Sequence, residues 1–206
     1  MNEMPSSADI LTQLNIQPVH PQLLTDYPPV VCIPNGASML HEESHVMRVM
    51  VYADLICQKI KKQGLEVNRH AILSAIRIHD SYRRQEYEDE EDHGLVASVA
   101  ADMSGIFKDD PDEGLIYFLA TWHSEDDSKV PLLSKESFPL ELAILKDADA
   151  LDRYRDAHHN EVDENGPDPA YFRLDVTHKL MPIAESLCAI YFNPKRQKDD
   201  NRPVAN

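Results

Sequence analysis

The sequence predicts an all-α protein, a single domain built as a bundle of about six or more helices around a polar centre. Three observations carry this prediction. Apolar residues recur at helical spacing in one segment after another, and no segment alternates with the period of two that a half-buried strand requires. The chain of 206 residues is long enough for one well-buried core and too short for two ordinary domains with a linker. Several of the helical stripes also end on a histidine or an aspartate rather than on another apolar side chain.

Taken in order, residues 1–40 read as a lead-in segment in which Pro5, Pro18, Pro21, Pro28, Pro29 and Pro34 interrupt any long helix, leaving room for a short one near residues 8–14. The main domain is expected over residues 41–192 and a disordered tail over 193–206. In its first helix Val46, Val49, Met50, Ala53, Ile56, Cys57 and Ile60 share a face that Gly64 ends, and His45 opens the stripe. A second helix over residues 69–80 turns Ile72, Ala75 and Ile76 inward and carries His79 and Asp80 to the same side. Residues 81–92 are polar and include an acidic run, which reads as a solvated loop. A third helix aligns His93, Val96, Ala97, Ala100 and Ser104, small residues that permit close approach to a neighbour. A fourth begins near Pro111 and aligns Ile116, Leu119, Ala120 and His123. After a polar loop over 124–138, Leu142, Leu145, Asp149 and Asp152 fall on one face of a fifth helix. A turn-rich loop over 158–169 leads to a last helical segment over 171–192, which Pro182 kinks or restarts.

Composition excludes several partners. Twenty Lys and Arg against 36 Asp and Glu leave a net charge of −16, which repels nucleic-acid backbones and anionic membranes. The three cysteines, Cys32, Cys57 and Cys188, are odd in number and widely spaced, so no disulfide framework is expected. No window reaches the roughly 18 apolar residues of a membrane span, and the opening MNEMPSSADILTQL has neither a basic region nor a long apolar run. A cytosolic location is the expectation. Nothing in the pattern specifies an oligomeric state.

A carboxylate on the buried stripe of a helix is costly unless a cation, a donor or a metal meets it. Asp149 therefore needs a partner, and the other helices offer histidines in equivalent positions. One buried imidazole is ordinarily satisfied by a backbone carbonyl; the set His45, His79, Asp80, His93, His123 and Asp149 is harder to explain that way. Nitrogen and oxygen ligands without thiolate suit Mn, Fe, Co, Ni, Zn or Mg and argue against a structural zinc finger.

A histidine, an adjacent His79-Asp80 at a helix end, two further histidines and the stretch Lys146-Asp147-Ala148-Asp149-Ala150-Leu151-Asp152-Arg153 together resemble the HD-domain superfamily of metal-dependent phosphohydrolases, over about residues 40–155. The resemblance implies an HD-type helical bundle holding one or two divalent ions. His45, His79, Asp80 and Asp149 would bind the first ion, and Asp80, His93 and His123 the second, with Asp80 as the bridge. Asp147 takes a supporting or capping role. The implied activity is hydrolysis of a phosphomonoester or phosphodiester of a small metabolite, nucleotides first, by a metal-activated water whose proton Asp80 accepts. Arg83, Lys146 and Arg153 are the candidate phosphate contacts, with solvated-loop or surface ion-pair roles as the plain alternative. His158 and His159 open a nearby loop and are weaker candidates. Ala150 stands where many relatives carry a basic residue, which counts against a triphosphate contact, and no Gly-Tyr-Pro follows the His-Asp pair, which disfavours a cyclic dinucleotide phosphodiesterase of that subclass. Two other readings stay open: a diiron oxygenase using the same ligands, and a non-catalytic metal- or nucleotide-binding regulator. Substrate identity is expected to reside in loops 81–92, 124–138 and 157–170.

Overall fold

The helix ends are set by local chemistry that the sequence displays. The Asn68 side chain accepts from the Ala71 backbone N–H at 3.0 Å and caps the helix that follows, satisfying a donor that has no partner within the helix. Just upstream, Gly64 takes a φ of 83°, the left-handed conformation in which the preceding helix stops. The structure, a computed structural model, describes residues 23–30, 43–82, 92–131, 139–154 and 166–191, without the side chains of 24, 43, 44 and 189–191. These residues form α1 (Leu23–Asp26), α2 (Glu43–Lys62), α3 (Arg69–Ile76), α4 (His93–Ser104), α5 (Glu113–Trp122), α6 (Leu140–Leu151), α7 (Asp175–His178) and α8 (Met181–Tyr191), with a 3-10 turn at Pro169–Tyr171. Among them there is no strand, so the architecture is all-α as the periodicity predicts. No described helix is long and apolar enough to cross a membrane.

The centre belongs to α2 and α3. The expected stripe of α2, from Val46 to Ile60, is buried, but so are Tyr52 and Leu55, because α2 is enclosed by α3, α6 and α7. On α3 burial is unbroken from Ala71 to Ile76, where it packs between α2, α5 and α6. Each fully buried Leu or Ile contributes about 1.5–3 kcal/mol. That driving force offsets the cost of keeping charged and polar groups dry in the same interior. Around this centre α4 lies along α5, and α6 touches α5 and α7.

Three elements depart from the periodic pattern. The second helix stops at Ile76 instead of reaching residue 80. The reason is His79, whose Nδ1 donates to the Ile76 carbonyl at 2.8 Å and so takes the acceptor that a continuing α-helix would offer to residue 80. The chain goes on as hydrogen-bonded turns, with both Ile78 and His79 N–H groups on the Ala75 carbonyl.

The inner face of α4 is His93, Gly94, Ala97, Ser98 and Ala101, whereas Val96 and Ser104 point outward. Apolar residues surround this helix, so hydrophobicity alone leaves its rotation ambiguous; Gly94 settles it. A Cβ on Gly94 would lie 2.4 Å from the Ala120 carbonyl oxygen, so only glycine lets the two helices approach this closely.

The last segment restarts at Pro182 as expected and departs from the pattern only before it. Phe172 and Leu174 are extended, α7 is a short helix, and Pro182 sits in the first turn of α8, where a missing N–H is harmless. Of the lead-in, residues 23–30 lie against the end of α3, with the Val30 N–H on the Arg77 carbonyl at 3.0 Å and Arg77 Nε on the Pro28 carbonyl at 2.8 Å. The expected short helix near 8–14, most of the acidic run and the tail lie outside the described residues.

Candidate metal centre

Each candidate ligand is delivered by the end of an element. His45 lies in the first turn of α2, His79 and Asp80 in the turn after α3, His93 at the start of α4, His123 at the end of α5 and Asp149 in the last turn of α6. All four imidazoles and Asp80 are buried, while the Asp149 side chain is 28% exposed. The cluster therefore has a dry floor and an edge on solvent at Asp149.

Asp80 stands in the middle with its two oxygens facing opposite groups. Its Oδ2 is 3.2 Å from His45 Nε2 and 3.5 Å from His79 Nε2. Its Oδ1 is 3.2 Å from His93 Nε2 and 3.5 Å from His123 Nε2. On the first side Asp149 Oδ1 closes the group at 3.4 Å from His45 Nε2 and 3.9 Å from His79 Nε2. On the second side the two Nε2 atoms of His93 and His123 are 3.1 Å apart. The structure thus brings together every residue of the expected ligand set.

Protonation decides what this cluster can do. A carbonyl oxygen only accepts, so His79 Nδ1 on Ile76 and His123 Nδ1 on Ala120, at 2.7 Å, both carry the proton. Burial pushes the His79 pKa down to about 4 in spite of the neighbouring carboxylates, so at neutral pH its Nε2 is a bare acceptor. That lone pair points at two carboxylates and, at 3.3 Å, at His45 Nε2. Asp80 is buried, which pushes its pKa up, yet His79 and hydrogen bonding with His123, His45 and His93 hold it well below the usual carboxylate range. The bare His79 Nε2 facing carboxylate oxygens in a dry interior repels them; a divalent cation between them turns the repulsion into coordination. The residues fit such an ion: ligand atoms of His45, His79 and Asp149 lie within 4.8 Å of one another, as do those of His79, Asp80 and His123.

Of the remaining candidates, Lys146 and Arg153 are described. Lys146 has its Nζ on the Glu125 carbonyl and, at 2.7 Å, on Asp127, so its contacts strap the loop after His123 to α6 rather than reach into the cluster. Arg153 is exposed just beyond α6. Arg83, His158 and His159 lie outside the described residues. Asp147 caps from a distance: it accepts from the N–H groups of Arg173 and Leu174 at 3.0 Å and from the Thr177 hydroxyl at 2.8 Å, holding the start of α7.

Sequence reasoning missed three residues that shape the centre. Asp152 accepts from His45 Nδ1 at 2.8 Å and is gripped by Arg48 through Nε at 2.6 Å and its terminal nitrogen at 2.8 Å. Its place on the Leu142–Asp149 face was the available signal; Arg48, three residues after His45, had none. Gly94 is the third, because the approach it permits puts His93 beside His123. A surface group of His70, Asp110 and Asp112 also has ligand spacing, but it is a hydrogen-bonded chain, Tyr27 hydroxyl to His70 at 3.1 Å and His70 to Asp110 at 2.9 Å.

No protein-family model, no curated protein and no solved structure matches the chain. The chemistry of the cluster therefore has to carry the functional reading.

Proposed function

We propose that this chain is a metal-dependent phosphohydrolase that cleaves a phosphomonoester or phosphodiester of a small metabolite, nucleotides being the first candidates. The observation that supports it most is the two-sided Asp80, a buried carboxylate with histidines on both oxygens. His45, His79, Asp80 and Asp149 would hold one divalent ion, and Asp80, His93 and His123 a second. Ions held there supply a water of lowered pKa and neutralise charge on the phosphoryl oxygens. Asp80, kept ionised, links the two sides and orients both. His79 is already neutral at pH 7 and offers its lone pair without first losing a proton. Asp149 is the partly exposed ligand, so the phosphoryl group approaches past it and the proton released on attack leaves by the same edge.

The test is phosphate release from a panel of mono-, di- and cyclic nucleotides and sugar phosphates with Mn2+, Mg2+, Co2+ or Ni2+ added, beside Asp80→Ala. Metal-dependent release that vanishes in the variant is expected. No release with any metal, or release that survives Asp80→Ala, would sink the proposal.

A further inference from the structure

Three histidines of the cluster, His45, His79 and His123, are backed in two different ways. His79 and His123 give their Nδ1 protons to the main-chain carbonyls of Ile76 and Ala120. His45 gives its proton to a carboxylate, Asp152 Oδ2, at 2.8 Å. A carboxylate behind an imidazole fixes the ring and its tautomer and makes the opposite nitrogen a better donor to a metal than a carbonyl does.

Asp152 is itself held so that it cannot turn away. Arg48 grips both oxygens, Nε on Oδ1 and the terminal nitrogen on Oδ2, and the Cys188 thiol lies 3.7 Å from Oδ1. Asp152 and Arg48 are both buried, and a buried ion pair of this kind adds little net stability over a well-packed apolar pair. Stability alone therefore does not account for it. Fixing the proton on His45 Nδ1 does. The charges run the same way: the His45 side of Asp80 has a second carboxylate, Asp149, and the His93 side of the ligand set has none.

We infer that Asp152, clamped by Arg48, is the positioning residue for His45 and makes the His45–His79–Asp149 side the tighter of two metal sites, filled before the His93–His123 side. The inference rests on the metal centre proposed above, and its test is kept apart from turnover.

Calorimetric titration of the metal-free full chain with Mn2+ should show two classes of site. Asp152→Asn should weaken the tighter class by about 10–100-fold and leave the weaker class where it was. Because that variant strands the Arg48 charge, the double variant Asp152→Asn with Arg48→Met, which removes both charges, should show the same selective loss. A measurement on the unaltered protein needs no variant: with Zn2+ bound, nitrogen-15 histidine spectra should show His45 protonated on Nδ1 and metal-shifted at Nε2. One class of site, equal weakening of both classes, no weakening, or a His45 proton on Nε2 would each overturn the inference. Two-class binding with the selective loss but no phosphate release from any substrate would overturn the hydrolase reading alone. A wild-type chain that takes up no metal would overturn both.

Discussion

The two oxygens of Asp80 look onto halves of the cluster that are built from different materials. Behind Oδ2, His79 leans on the nearby Ile76 carbonyl, but His45 on α2 leans on a charge: Asp152 at the end of α6, 107 residues away, with Arg48 closing the pair. Behind Oδ1, His123 is held by the main chain and the approach of α4 is set sterically. His123 ends α5 by donating to the Ala120 carbonyl, and α4 brings His93 alongside by pressing Gly94 against that same carbonyl. A charge pair can hold a ring only if every charge is matched, whereas a backbone contact holds it only if nothing larger than hydrogen intervenes. The halves should accordingly fail in different ways.

The largest effect is expected on the electrostatic side. Arg48→Met leaves Asp152 buried without its cation, at a cost on the order of 3–5 kcal/mol. Thermal unfolding of the metal-free chain should show a midpoint lower by roughly 10 °C. An unchanged midpoint would mean that the pair is not what holds that half.

The steric half breaks with a single methyl. Gly94→Ala places a Cβ on the Ala120 carbonyl and also 3.0 Å from His123 Nδ1, so α4 must retreat. A loss of about 1–3 kcal/mol is expected. Metal analysis should find the His93–His123 ion missing and the His45-side ion retained; loss of both ions, or of neither, would contradict the division drawn here.

A strap joins the halves, since Lys146, one turn before Asp149, reaches Asp127 in the loop after His123, and Arg173 meets the same carboxylate at 2.8 Å. Burial pushes the Asp127 pKa up, but Arg173 and Lys146 outweigh it and leave it below the usual carboxylate range. Its folded pKa is thus depressed, so its stabilisation is present above the unfolded value near about 4 and is lost as pH falls through the folded one. Asp127 is partly exposed and the contribution should be no more than about 1 kcal/mol. The difference in midpoint between wild type and Asp127→Asn should be open at pH 7 and should narrow as pH falls below about 4. A difference that grows on acidification would reverse the assignment.

The smallest effect is at Cys188, whose thiol touches Asp152 and is pushed up to about 12 by burial and by that carboxylate. Iodoacetamide at neutral pH should modify it only as fast as the protein unfolds, read by mass spectrometry of the peptide that carries it. Rapid modification in the native state would show α8 lifting away from the electrostatic half.

Much of the fold was legible because a helix reports its buried side locally. The stripes of α2 and α5 follow from spacing alone, and so do His45 and His123, which extend them; on α6 burial runs unbroken from Leu142 to Ala148 and takes in Asp147, while Asp149 is the partly exposed one. Legibility stopped where the local signal was ambiguous or absent. On α4, apolar side chains on all sides hid the rotation that one glycine contact fixes. In the second helix, the residue expected to extend it is the one that ends it, because the His79 side chain competes for the Ile76 carbonyl. Lys146 read as a cation beside the site, and its anchor proved to be a loop 19 residues upstream.

By itself, then, the sequence determined that the chain is helical, where most helices lie, and which histidines and aspartates sit at their inner ends, since each of these depends on residues a few positions apart. Only the tertiary structure decided that Asp80 divides its oxygens between two groups, that Asp152 and not a carbonyl stands behind His45, and that Gly94 admits His93 to the cluster. Those pairings reach across the chain, as His93 with His123, 30 positions apart, and His45 with Asp152, 107 apart, show. They depend on which helices pack together and how closely, and no periodicity within one helix encodes that.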